Sequence, residues 1–285
     1  MYECFLRFCD LTIRIQAPFP VLIRRESNPF QLTYAEQVNF TIAFEPISAL
    51  PEVDHNAIWQ DDRYYTCLNG ISATFVRNYP GEPPYALFLY EDRLVRCQYI
   101  PGSEIRLNET SSILNQIGLE KILLDNCAFL LHSSFIRCQG RGILFSASCG
   151  VGKSTQASLW ERYRNADILN GDRAGIRFIN DHWRAYGMPF AGTSGIYRNA
   201  AAPLSAIVTL SQGPENVIRR LRPIEAVRKL LAESSCRRWD SDFMGRVLDL
   251  LLKLTAQIPV YHLECRPDQG AVELLEHTLQ KDGLL

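Results

Sequence analysis

The chain has 285 residues, 47% of them apolar and 21% charged, which fits one or two globular domains with a substantial core. Its formal net charge of −1 argues against a general nucleic-acid or anionic-membrane surface. Nine cysteines without a C-x-x-C pair fit reduced, partly buried thiols rather than a disulfide framework or a zinc site.

The first hundred residues are rich in β-branched and aromatic residues. The runs 2–8, 11–15, 38–44, 63–68, 71–77, 86–90 and 94–100 read as short strands, punctuated by turn residues such as Pro80-Gly81, Pro83-Pro84 and Pro101-Gly102. A helix is expected next, capped by Asn108 or Thr110, with Ile113, Leu114, Ile117 and Leu119 continuing toward Ile122–Leu124. The domain boundary is expected here, giving a β-rich unit over 1–118, read as a substrate or partner recognition module, and a second unit over 119–285.

The second unit alternates strands and helices, an α/β layout. Residues 129–138 and 142–147 read as strands, 153–163 as a helix and 167–169 as a short strand. A hairpin spans 174–179 and 183–186, followed by a strand at 204–210. Helices are expected over 224–233 and 243–257, a strand over 260–265, and a closing helix over 269–280 capped by Asp268.

The informative run lies between the second of these strands and the first helix: Ala147-Ser148-Cys149-Gly150-Val151-Gly152-Lys153-Ser154-Thr155. A polyphosphate needs several inward-pointing backbone N–H groups, a mobile cation and a metal ligand. Gly150 and Gly152 give the curvature, the helix N-terminus faces the anion, Lys153 reaches the β- and γ-phosphates, and the Ser154 hydroxyl can ligate Mg²⁺. Ser148 through Thr155 are the nucleotide-binding residues on this reading. The first motif position, most often glycine, is Ala147, which lacks glycine's freedom at positive φ.

Such a loop also calls for a carboxylate on a neighbouring strand, to hold Mg²⁺ or accept the nucleophile's proton. Asp172, just past Ile168-Leu169, fits, whereas Asp167 at the strand's start is expected to face away. His132 lies on the strand before the loop. Taken alone, a histidine on an apolar strand is more often a satisfied core residue than a catalyst.

Taken together, His132, the loop and Asp172 resemble the HPr kinase/phosphorylase family and its relatives with a phosphoenolpyruvate-carboxykinase-like P-loop core. The likeness covers roughly residues 125–212, and Gly187–Gly192 and the Pro203–Leu210 strand are similar to HPr-kinase-related serine kinases. The resemblance implies ATP-dependent phosphorylation, with Mg²⁺, of a serine-type hydroxyl on a protein, peptide or small metabolite. By position, Lys153 and the loop amides hold the phosphates, Ser154 and Asp172 hold the metal, Asp172 acts as general base, and His132 lies near the transferred phosphate. The family's first aspartate is Gly171 here and its loop serine before Gly150 is Cys149. If the missing carboxylate limits the reverse reaction, Gly171→Asp is expected to increase it.

Arg198, Arg219, Arg220 and Arg222 are further cationic candidates, although the last three also read as a solvated basic turn. A nucleotide-binding regulator that uses ATP as a switch without phosphotransfer is the alternative. The sequence has no run of the ~18 apolar residues a membrane span needs and no basic leader, so a cytoplasmic protein with no membrane and no nucleic-acid partner is expected. The acceptor and any homo-oligomer are not legible.

Overall fold

A computed structural model describes residues 1–55 and 57–285. The chain divides into two compact units, Met1–Leu119 and Glu120–Leu285, and each is built on its own 8-stranded sheet.

In the first unit, β1 (Tyr2–Phe8), β2 (Leu11–Ala17), β3 (Gln31–Leu32), β4 (Phe40–Pro46), β5 (Arg63–Leu68), β6 (Ile71–Val76), β7 (Ala86–Glu91) and β8 (Leu94–Tyr99) lie in the order β3-β1-β2-β4-β8-β7-β6-β5. The pairs β1–β2, β5–β6 and β7–β8 are antiparallel hairpins, while β4 runs parallel to both β2 and β8. Asn69 and Gly70 turn the β5–β6 hairpin at positive φ (51° and 81°), as a two-residue turn requires if it is to match strand twist.

The expected helix after residue 108 is two helices. α1 (Thr110–Gln116) and α2 (Leu119–Asp125) are separated at Gly118, whose φ of +62° is left-handed and ends the first helix. Neither expected cap acts as one. The N-cap position is Glu109, without a side-chain bond, and the Thr110 hydroxyl instead accepts from the Arg24 amide at 3.1 Å and donates to Ser27 Oγ at 2.8 Å.

The second unit contains β9 (Ala128–Cys138), β10 (Arg141–Ser146), α3 (Lys153–Arg164), β11 (Asp167–Asn170), β12 (Arg173–Ile179), β13 (His182–Tyr186), β14 (Ala201–Gln212), β15 (Val217–Arg220), α4 (Pro223–Glu233), α5 (Ser241–Gln257), β16 (Val260–Cys265) and α6 (Gln269–Lys281). Its sheet runs β10-β9-β12-β13-β14-β16-β15, with β11 also on β9 and β10 also paired to β14. Side chains alternate across it with period two. Leu144 of β10 joins Leu230 and Leu251 of α4 and α5 on one face, while its neighbours Ile143 and Phe145 join Trp160 and Leu275 of α3 and α6 on the other. The result is a three-layer mixed α/β unit.

Strands β10, β14 and β16 are mutually parallel. Their C-terminal ends therefore open onto one edge, the edge where ligands bind in open α/β sheets.

Candidate functional site

The loop from Ala147 to Gly152 leaves the end of β10 and enters α3 at Lys153. Gly150 and Gly152 take φ values of +80° and +125°, which only glycine adopts without strain. Ala147 is not among the positive-φ residues, so the departure from glycine costs no backbone strain. Its methyl is buried in the core shared with Phe145 and Ala157.

Lys153 lies back across this loop. Its Nζ donates to the carbonyl oxygens of Ala147 (2.7 Å) and Ser148 (3.2 Å). Burial holds its pKa below the ordinary lysine value, opposed by the negative groups Glu233, Cys149 and Asp172. An incoming phosphate offers this ammonium stronger, charged acceptors than two carbonyls. Ser154 and Thr155 are exposed beside it at the helix N-terminus, where the helix dipole favours an anion.

Asp172 is fixed by its neighbours. β11 and β12 run along the same edge of β9, and the Ser133 amide donates to the Asp172 carbonyl at 2.9 Å. Asn170 is fully buried and uses its whole amide. Its Oδ1 accepts from the Asp172 and Arg173 amides (2.9 and 2.8 Å), and its Nδ2 donates to Met188 O and Phe190 O (2.9 and 3.1 Å). This Asx turn locks the direction in which Asp172 leaves the strand.

The side chain of Asp172 brings Oδ1 to 3.7 Å from His132 Nε2 and Oδ2 to 3.6 Å from Arg173 Nε. The other ring nitrogen, His132 Nδ1, is 3.2 Å from Glu233 Oε2, and Glu233 Oε1 accepts from Ser148 Oγ at 2.9 Å. A continuous chain thus runs from the phosphate loop through Glu233 and His132 to Asp172. His132 is therefore a partly exposed member of a polar cluster rather than a satisfied core histidine.

Glu233 is absent from the sequence reading, although a signal existed. It is the last residue of α4, where an acidic side chain opposes the helix dipole and so needs a partner. That end of α4 is tied down by the Leu131–Ser234 bridge and by the Ser235 amide donating to Leu130 O at 3.1 Å.

The segment from Gly187 to Arg198 wraps against Asp172. A Cβ on Gly192 (φ +52°) would come within 2.7 Å of Asp172 Cβ, and one on Gly171 would lie 1.9 Å from Ser194 Oγ. The space that a side chain at position 171 would use is therefore filled. This corrects the expectation that Gly171→Asp simply restores a carboxylate.

Of the other cations, Arg198 meets Asp167 (3.7 Å), which also holds Arg137 at 2.7 Å. Arg219 and Arg222 both meet Glu225, at 3.4 and 3.3 Å. Arg219 and Arg220 belong to a strand, β15, rather than to a turn.

Among the described residues, no group of three or more His, Cys, Asp or Glu side chains could hold a metal ion. The hard oxygen donors Ser154 and Asp172 suit Mg²⁺ carried in on a polyphosphate, which keeps most of its coordination to water and phosphate. No described helix is long and apolar enough to cross a membrane.

The site defined by this geometry is a glycine-rich strand-to-helix loop joined through Ser148 to a Glu233–His132–Asp172 cluster, within a mixed α/β unit. Among solved structures, the chain is similar to the Hpr(Ser) kinase/phosphatase from Coxiella burnetii, at 12% identity and a TM-score of 0.31, over 54% of this chain and 93% of that one. It is a distant likeness in fold, from which no activity follows for this chain. No family model matches the sequence, and no curated protein does.

Proposed function

We propose that the Glu120–Leu285 unit is an ATP-dependent kinase, with a phosphoenolpyruvate-carboxykinase-like P-loop arrangement and a relationship to HPr-kinase-type serine kinases. It would transfer the γ-phosphoryl group to a hydroxyl on a protein, peptide or small metabolite. The observation that carries this reading is the placement of Asp172, paired with His132 and acting electrostatically on Lys153, beside a loop across whose Ala147 and Ser148 carbonyl oxygens the Lys153 ammonium lies. A site that only bound phosphates would need the loop but no general base.

In the reaction proposed, the acceptor hydroxyl gives its proton to Asp172 as its oxygen bonds to the γ-phosphorus. The bond from that phosphorus to the β,γ-bridging oxygen breaks, and ADP leaves with the electron pair. Lys153 and the amides of Gly150–Lys153 stabilise charge on the transferring group, the dominant effect in phosphoryl transfer. His132 steadies the Asp172 carboxylate, and Glu233 fixes the His132 ring from the other side. Mg²⁺, held by Ser154 and Asp172, would neutralise phosphate charge when bound. Acceptor choice falls to surfaces outside the loop, and recognition by the Met1–Leu119 unit is part of this proposal.

A second reading, a nucleotide-binding switch without transfer, is favoured by one feature. Ser194 fills the room beside Gly171, which leaves Asp172 as the single carboxylate at this turn.

Transfer of label from ATP to an acceptor in cell extract separates the two. Lys153→Met and Asp172→Asn should each lower transfer at least about a hundredfold. Wild-type protein that binds ATP yet labels nothing in any extract would establish the switch.

A further inference from the structure

The Met1–Leu119 unit holds a cavity of about 890 Å³, near the top of the ~300–1,000 Å³ range of ligand sites. The segment after β4, the loop between β6 and β7 and the turn after β8 form its walls. Leu50, Val53, Tyr85 and Ile100 are half-buried and give it apolar surface. Leu50 and Val53 also pack on the core of Phe75 and Leu87, which holds that wall in place. Tyr85 is fixed as well, since the Arg106 guanidinium lies 5.7 Å from its ring centre and its hydroxyl is hydrogen-bonded to Gln116.

The polar part of the lining has one sign. Among the described residues that line the cavity, only Glu52 and Glu82 are charged, and both are exposed. Glu82 is held by a relay in which Arg106 Nε donates to Asn78 Oδ1 and Asn78 Nδ2 donates to Glu82 Oε2 at 3.0 Å. Donors, by contrast, are scarce. Pro51, Pro83, Pro84 and Pro101 of the lining have no N–H to offer. The amides of Glu82, Tyr85, Ile100, Gly102 and Ser103 already bond within the fold. The cavity therefore combines apolar surface with an excess of acceptors, two of them anionic, and it calls for an apolar ligand rich in donors.

We propose that this cavity docks a peptide segment carrying an apolar side chain next to lysine or arginine. The apolar side chain fills the space over Tyr85 and Ile100, the cation meets Glu52 and Glu82, and the segment's own N–H groups face the acceptor-rich walls. The proposal extends the recognition role given above to the Met1–Leu119 unit and does not depend on phosphoryl transfer.

Fluorescence-anisotropy titration of the full-length protein, without nucleotide, tests it. The probes are labelled short peptides with leucine or phenylalanine at the centre and lysine, serine or glutamate on both sides. A lysine-flanked peptide should bind at least about fivefold tighter than its glutamate-flanked counterpart. In Glu52→Gln/Glu82→Gln that preference should fall to about twofold or less, and an unchanged urea midpoint reports that the variant is folded. If loss of the Asn78 relay lowers the midpoint, Glu52→Gln alone takes its place, with an expected loss of about twofold. No peptide bound, equal binding of the two kinds, or a preference undiminished in the folded variant overturns the docking site. Binding of n-hexylamine with every peptide refused overturns the peptide in favour of a small amine. With no nucleotide present, each of these results leaves phosphoryl transfer standing, and a failure of label transfer leaves the docking site standing.

Discussion

At Gly171 an added Cβ would lie 1.9 Å from Ser194 Oγ and 2.6 Å from its Cβ, so an aspartate there has to displace the 192–194 turn. Gly171→Asp should destabilise the protein by about 1–3 kcal/mol, the usual range for overpacking, and lower activity because Gly192 of the same turn abuts Asp172. Adding Ser194→Gly should recover most of the loss. Chemical denaturation of the single and double variants checks this, and a single variant as stable as its parent would contradict the packing. Glu233 makes a complementary case. Its carboxylate joins His132 Nδ1 to Ser148 Oγ, so Glu233→Gln should lower kcat about tenfold with a smaller effect on KM for ATP. A change confined to KM would instead assign Glu233 to ATP binding. The loop was legible in the sequence because its parts are contiguous. Glu233 was not, because it lies 101 residues from His132 and is joined to it only by the way α4 ends against β9.

Elements with a clear period were the readable ones. The strand at 260–265 has the bounds expected, and the helices over α4, α5 and α6 differ from expectation by one to two residues at their ends. The strand expected at 204–210 extends over Ala201–Gln212, because its Ala-Ala-Pro start pairs with β13 and its polar Ser-Gln end with β16. Strand β15 escaped notice since its Val-Ile-Arg-Arg sequence, half charged, is held by pairing with β16 rather than by burial. Gly118 broke a helix whose apolar positions looked continuous. The closing helix follows its local chemistry. Asp268 Oδ1 accepts from the Ala271 amide at 3.1 Å and from Asn216 Nδ2 at 2.9 Å. The Asn216 bond, ahead of the helix amide and Arg266, holds the Asp268 carboxyl below its ordinary pKa. A carboxyl depressed on folding contributes stability above its unfolded pKa and loses it as pH falls through the folded one. Asp268→Asn should therefore make the acid side of the stability–pH curve shallower, and urea melts from neutral to acidic pH would show it. Parallel curves for parent and variant would rule out that contribution.

For the whole molecule, two sheets with separate cores divide the chain near residue 119, and the proposed chemistry belongs to the second. The mixed α/β class followed from the order of strands and helices. The site's second carboxylate, Glu233, did not, since it depends on how α4 ends against β9. The acceptor stayed illegible for a related reason, because recognition surfaces carry no contiguous motif. The central claim is transfer from ATP through the loop and Asp172. It is tested most directly by incubating full-length protein and extract with Mg²⁺ and ATP labelled at either the γ- or the α-phosphate. Label is expected on an acceptor hydroxyl from γ-labelled ATP alone, and Asp172→Asn should abolish it. Transfer from both positions, or undiminished transfer in Asp172→Asn, would contradict it.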